Sequence, residues 1–99
     1  MPSKPLRSRR PAVTVRPATP ADLDVLVRFS AAMARETEGR ALDLKRLRKG
    51  VRAVLASDRH GRYLVAESGA AVVGQLLLTS EWSDWRNGVF WWIQSVYVE

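Results

Sequence analysis

No cysteine occurs in the 99 residues, which removes disulfides, thiol nucleophiles and thiolate metal sites together and fits a reducing compartment. Histidine is almost as scarce. His60 stands alone beside Gly61 in a polar turn, so a self-contained zinc site has no ligand set, and the imidazole reads as an exposed loop side chain. No apolar run reaches the length of about 18 residues that a membrane-spanning helix requires. Acids are missing from the first twelve residues, where Lys4, Arg7, Arg9 and Arg10 lie. The formal charge of +6 is therefore mostly a property of that tail, and the remaining body carries twelve basic and ten acidic residues. A mildly basic body argues against a nucleic-acid partner. Residues 1–12, with three prolines and two serines before Ala12, read as a disordered basic tail ahead of one unit spanning 13–99.

What is present has the order strand, helix, helix, strand, strand, strand, an α+β pattern. Val13-Thr14-Val15-Arg16, ended by Pro17, suits a short strand near a sheet edge. Thr19, Pro20 and Asp22 have the spacing of a capped helix start. Leu23, Leu26, Val27, Ser30 and Met33 then form an apolar stripe to about Arg35, where Glu36 to Arg40 breaks the pattern. Asp43 can cap a second helix with Leu44, Leu47, Val51, Val54 and Leu55 on one side and Lys45, Arg48, Lys49 and Arg52 on another, a row read as a solvated face or a phosphate- or acid-binding surface. Arg62 to Glu67 and Ala71 to Thr79, joined at Ser68-Gly69, form a hairpin, and Gly74 marks a bulge or a close backbone approach.

The chain ends in Phe90-Trp91-Trp92-Ile93-Gln94-Ser95-Val96-Tyr97-Val98-Glu99. On a period of two, Phe90, Trp92, Val96 and Val98 take one face while Val89, Trp91, Ile93 and Tyr97 take the other, so neither face suits water. Such a strand is expected mid-sheet and covered on both sides, as in the front part of a larger domain. The segment Glu81 to Gly88 sets two tryptophans, two acids, an arginine and an asparagine in a loop. Two readings stand: Trp82 and Trp85 fold back to plug the core, or the loop walls a pocket where aromatic faces and Glu81 or Asp84 receive a cationic amine.

Arg16-Pro17-Ala18-Thr19-Pro20-Ala21-Asp22, Tyr63-Leu64-Val65-Ala66-Glu67, Val72-Val73-Gly74-Gln75-Leu76 and Ile93-Gln94-Ser95-Val96-Tyr97-Val98 together resemble the first half of a GNAT-family N-acetyltransferase. The resemblance covers about Val13 to Glu99 and implies the acyl-CoA N-acyltransferase (GNAT) fold, truncated after the fourth strand. It further implies a cytoplasmic transferase, an acyltransferase moving acetyl from acetyl-CoA to a small-molecule or peptide amine, with no metal and no membrane partner. Backbone groups of Val96, Tyr97 and Val98 would receive the pantetheine arm and thioester. Glu36, Glu38, Trp82, Asp84 and Trp85 would line the acceptor site. The general base stays open among Glu36, Glu38, Glu81, Asp84 and Gln94. In the place of Gln94 diamine acetyltransferases carry a glutamate, and a neutral amide cannot take a proton. The family's Gln/Arg-x-x-Gly-x-Gly/Ala pyrophosphate loop is not in this sequence, so the 99 residues alone are expected to be inactive. The alternative is a non-catalytic interaction module that completes its sheet by pairing the exposed last strand with another chain, a homodimer being one form of it.

Overall fold

The computed structural model describes residues 12–99, so the tail assigned to residues 1–12 lies, apart from Ala12, outside the described residues. One antiparallel four-stranded sheet has the order β1-β2-β3-β4, with β1 Val13–Pro17, β2 Arg62–Ser68, β3 Ala71–Ser83 and β4 Gly88–Val98. Two helices, α1 Leu23–Glu38 and α2 Leu44–Ala56, cover one face. β1 sits at the edge, where a proline, which has no N–H to donate to a ladder, is tolerated.

The entry to α1 is built by charge. The Thr19 backbone N–H donates to the Asp22 carboxylate at 2.7 Å, closing a short 3-10 turn over Pro20–Asp22. Asp22 is only 6% exposed. Arg16 of β1 donates to both its oxygens at 2.8 and 3.0 Å and also reaches Glu67 of β2. One guanidinium thus joins the edge strand, its neighbour and the helix start. The Arg16 hydrogen bonds hold the Asp22 carboxyl below the usual carboxylate range, and the two acids raise Arg16 in turn.

The core lies between the helices and the sheet: Leu26 of α1, Val51 of α2, and Tyr63 and Val65 of β2. Phe29, 1% exposed, is buried there as well, although it stands outside the stripe read from spacing. α1 also runs one turn beyond the expected break. Gly39, at φ +65°, ends it by donating its N–H to the Ala34 and Arg35 carbonyls, and Thr37 Oγ1 donates to the Met33 carbonyl. Glu36 and Glu38 therefore belong to the last helical turn and not to a loop.

Two bulges shape the sheet. Opposite Ala66 and Glu67 the pairing skips Val73, next to Gly74, whose added Cβ would meet the Tyr97 carbonyl at 3.2 Å. Opposite Leu77 and Leu78 it skips Gln94. That extra residue reverses the alternation along β4. Val96 and Val98 share the face of Val89, Trp91 and Ile93, and Tyr97 joins Phe90 and Trp92 on the helix side, which corrects the face assignment read from an unbroken period of two.

β3 and β4 are also longer than expected. The segment Glu81 to Ser83 is strand, paired to Gly88–Phe90, and Asp84 to Asn87 is the turn, with Asn87 at φ +49°. Among the described residues β4 is an edge strand, not a central one, and Trp91, Ile93 and Val98, on the face that the helices leave uncovered, remain exposed.

Gly61 opens β2 at φ +152°, where a Cβ would lie 2.7 Å from the Leu78 carbonyl oxygen. Gly61→Ala should destabilise the protein by about 1 to 3 kcal/mol, combining backbone strain with a clash against backbone. Urea unfolding of the two proteins checks this, and an unchanged midpoint would show that β2 shifts without cost.

Candidate functional site

The site begins where the last turn of α1 passes over β4. Tyr97 packs its ring against Phe29, with centroids 5.2 Å apart, and donates its hydroxyl to Glu36 Oε2 at 2.9 Å. The bond to Glu36 comes first in raising the Tyr97 phenol above its ordinary value, with desolvation second. A carboxylate is thereby held beside the strand whose backbone at Val96, Tyr97 and Val98 pairs with Gly74, Gln75 and Leu76 on one side only. Among the described residues nothing pairs with the outer edge of β4.

Gln94 lies at the bulge, where its Oε1 accepts from Thr79 Oγ1 at 3.4 Å. Further toward the hairpin tip, Glu81 Oε1 accepts from Trp92 Nε1 at 2.8 Å, and the Phe90 ring stands 6.4 Å from Trp92. Glu36, Tyr97, Gln94, Trp92 and Glu81 therefore follow one another along the helix-side face of the β3–β4 ribbon. Aromatic faces beside carboxylates suit a cation.

The other residues singled out from sequence are placed elsewhere. Glu38 points to Arg40 at 3.7 Å on the surface. Asp84 is taken up by the turn, accepting from the Trp85 backbone N–H at 2.9 Å. Trp85 is 95% exposed at the hairpin tip, and Trp82, 62% exposed, pairs with Val89 on the opposite face from Glu36. Neither tryptophan plugs the core, because Trp82 is drawn into strand pairing on the face away from the helices and Trp85 is carried out on the hairpin turn.

The side chain of Tyr97 is what sequence reasoning missed, since only its backbone had been given a role. Beneath α1 lies a second polar group: Gln75 Nε2 donates to Ser30 Oγ at 3.2 Å, while Gln75 Oε1 is buried without a partner. Burial pushes the neighbouring Tyr63 phenol up, and a hydrogen bond with Ser30 offsets part of it. On the far face of the sheet an apolar hollow of about 190 Å³ is lined by Val15, Leu64, Ala66, Leu76, Val96 and Val98. Among the described residues no group of three or more metal-ligating side chains gathers, and no helix is long and apolar enough to cross a membrane.

Solved structures share this fold. A possible acetyltransferase from Clostridium difficile 630 superposes with a TM-score of 0.85 at 49% identity, covering 88% of this chain and 57% of that one. A GNAT family acetyltransferase from Staphylococcus aureus subsp. aureus USA300_TCH1516 superposes with a TM-score of 0.66 at 12% identity, over 88% of this chain and 62% of that one. The chain is an N-terminal portion of the GNAT acetyltransferase fold. A third GNAT-type likeness, to the ribosomal-protein-alanine N-acetyltransferase from Brucella melitensis biovar Abortus 2308, has a TM-score of 0.66 at 19% identity and covers 88% of this chain and 57% of that one. At such low identities the likeness is one of fold, whereas the 49% match is a likeness of sequence as well. The chain spans about three-fifths of the length of these relatives. No protein-family model matches the chain, and no curated protein matches it. In the GNAT frame the order β-α-α-β-β-β read from sequence is the order found.

Proposed function

We propose that these residues form the acceptor-binding and thioester-facing part of a cytoplasmic, acetyl-CoA-dependent N-acetyltransferase acting on an amine. The observation that carries the reading is the Glu36–Tyr97 pair, which sets a carboxylate next to the one-sided strand β4. Acetyl-CoA, when bound, supplies an electrophilic thioester carbonyl. The free edge of β4 offers main-chain N–H groups to an oxygen that gains negative charge, a role backbone amides fill without reorganising. The residues present suit the acyl end of that molecule. They do not suit its phosphates, because no glycine-rich turn opens either helix.

An amine acceptor arrives protonated and must lose a proton before it can attack. Glu36 accepts that proton, directly or through a water, and Tyr97 keeps the carboxylate oriented toward the strand. Glu81 with Phe90 and Trp92 holds positive charge elsewhere on the acceptor. Gln94, a neutral amide, positions and does not titrate.

Calorimetry with acetyl-CoA tests this on two proteins: the 99-residue chain, and a chimera that continues it with the part of the C. difficile relative it does not cover. Binding by the chimera with none by the chain, followed by acetyl transfer to a panel of amines, is the expected result. A folded chimera that neither binds acetyl-CoA nor acetylates any amine would remove the reading. The free edge of β4, with Trp91, Ile93 and Val98 exposed, favours one other reading, an interaction module that pairs this strand with a second chain or a second copy. That reading requires a stable stoichiometric complex or a homodimer of the 99-residue chain alone in sedimentation.

A further inference from the structure

Near-balance of charge over the body conceals its distribution. α2 carries Lys45, Arg46, Arg48, Lys49 and Arg52 with no acid, while the remainder of the chain after residue 12 holds seven basic and ten acidic residues. All five side chains are exposed. Arg48 pairs with Asp24 at 2.7 Å, but among the described residues Lys45, Arg46, Lys49 and Arg52 make no ion pair. The first twelve residues hold no acid that could neutralise them.

This pattern opposes the helix it stands on. Lys45 and Arg46 occupy the first turn, where the helix dipole disfavours cations, and Asp43 is already engaged by their backbone N–H groups at 3.0 and 3.2 Å. Lys45 and Lys49, and Arg48 and Arg52, stand four apart. Three more like-charged pairs stand three apart, all at spacings where equal charges weaken a helix. A local choice that works against its own element without gain in packing marks a surface kept for a partner.

The geometry points to a polyanion, and we infer that α2 docks on the phosphodiester backbone of a nucleic acid. An acidic protein surface is the weaker fit. Protein interfaces centre on buried apolar anchors, and Leu44, at the end of α2, is its one exposed large apolar side chain. Nucleic-acid interfaces are polar, strongly positive and rich in arginine. Arg28 and Arg35 line the groove between the two helices and add two cations on α1, against the single acid Asp24, which Arg48 already holds. No aromatic side chain lies on α2 to stack a base, so the contact is to backbone and indifferent to sequence. Acyl transfer plays no part in this inference.

The test is anisotropy of a labelled mixed-sequence DNA duplex of about 20 base pairs, the span of two helical turns, titrated with the full chain in which Lys4, Arg7, Arg9 and Arg10 are all changed to Gln, so that α2 is read without the tail. Binding should persist and weaken about 40-fold or more when salt rises from about 50 to about 200 mM, as three or more phosphate contacts require. Combining Lys45→Gln, Lys49→Gln and Arg52→Gln should flatten the log–log salt slope by about 3 while the melting temperature holds or rises, since like charges are removed. Arg59→Gln and Arg86→Gln, outside α2, should leave the slope unchanged. Three results would overturn the inference: no binding at the lowest salt, a slope unmoved by the triple variant, or displacement of the duplex by a poly-glutamate peptide of equal charge.

Discussion

Glu36→Gln in the chimera should lower kcat by about 10²- to 10⁴-fold, the range that a positioned proton acceptor contributes. The substitution keeps the size of the side chain and its ability to accept from Tyr97, so Tyr97 stays seated on Phe29 and only the basic oxygen is lost. Glu36 is exposed, so the fold should be indifferent to the change. Glu38→Gln, two residues on and turned to Arg40, should leave the rate untouched. Tyr97→Phe should fall between the two, because the carboxylate keeps its charge but loses the hydroxyl that orients it. Single-turnover rates of the chimera with a saturating amine make the comparison. A Glu36→Gln rate within about threefold of the parent, well short of the general-base range, would assign the proton to water and leave Glu36 as a partner of Tyr97 only.

The largest effect on stability should come from Asp22. Asp22→Ala removes a buried carboxylate that accepts from Arg16 and from the Thr19 backbone N–H, with an expected loss of about 2 to 4 kcal/mol. In a domain of this size that amounts to a melting temperature lower by about 10 to 25 °C. The pH dependence has a definite sign. The folded-state pKa of Asp22 is depressed, chiefly by Arg16, so its stabilisation is fully present above the unfolded carboxylate pKa of about 3.9. It is lost as pH falls through the lower folded value. Asp22→Asn should therefore flatten the acid limb of a stability–pH curve below about pH 4 and leave its shape near neutrality alone. Superimposable acid limbs in the two proteins would show that the ion pair does not stabilise the fold.

How far the sequence carries the fold can be judged from particular residues. The Thr19–Asp22 spacing announced the start of α1, because capping is settled within four residues. The Ser68-Gly69 turn announced the β2–β3 hairpin for the same reason. Phe29 stands off the densest apolar stripe, so spacing does not pick it out, and the Tyr97 ring that packs against it comes from β4, 68 positions away in the chain. The expected end of α1 near Arg35 followed from the acids after it, but Gly39 lets the helix run to Glu38 and caps it there. The loop read at Glu81 to Gly88 is half strand, since β4 offers Gly88 to Phe90 as pairing partners that composition does not disclose.

Local chemistry by itself determined the element order, the α+β class and the edge position of β1, because caps, turns and periodicity act over a few residues. The candidate site was decided only in three dimensions. One inserted residue, Gln94, turns Tyr97 to the helix side, and Glu36 meets it from 61 positions away in the chain. A period of two is a rule about neighbours, and it cannot say where a partner strand will skip a residue. That skip depends on the backbone pairing of β3 with β4, which exists only once the sheet has formed.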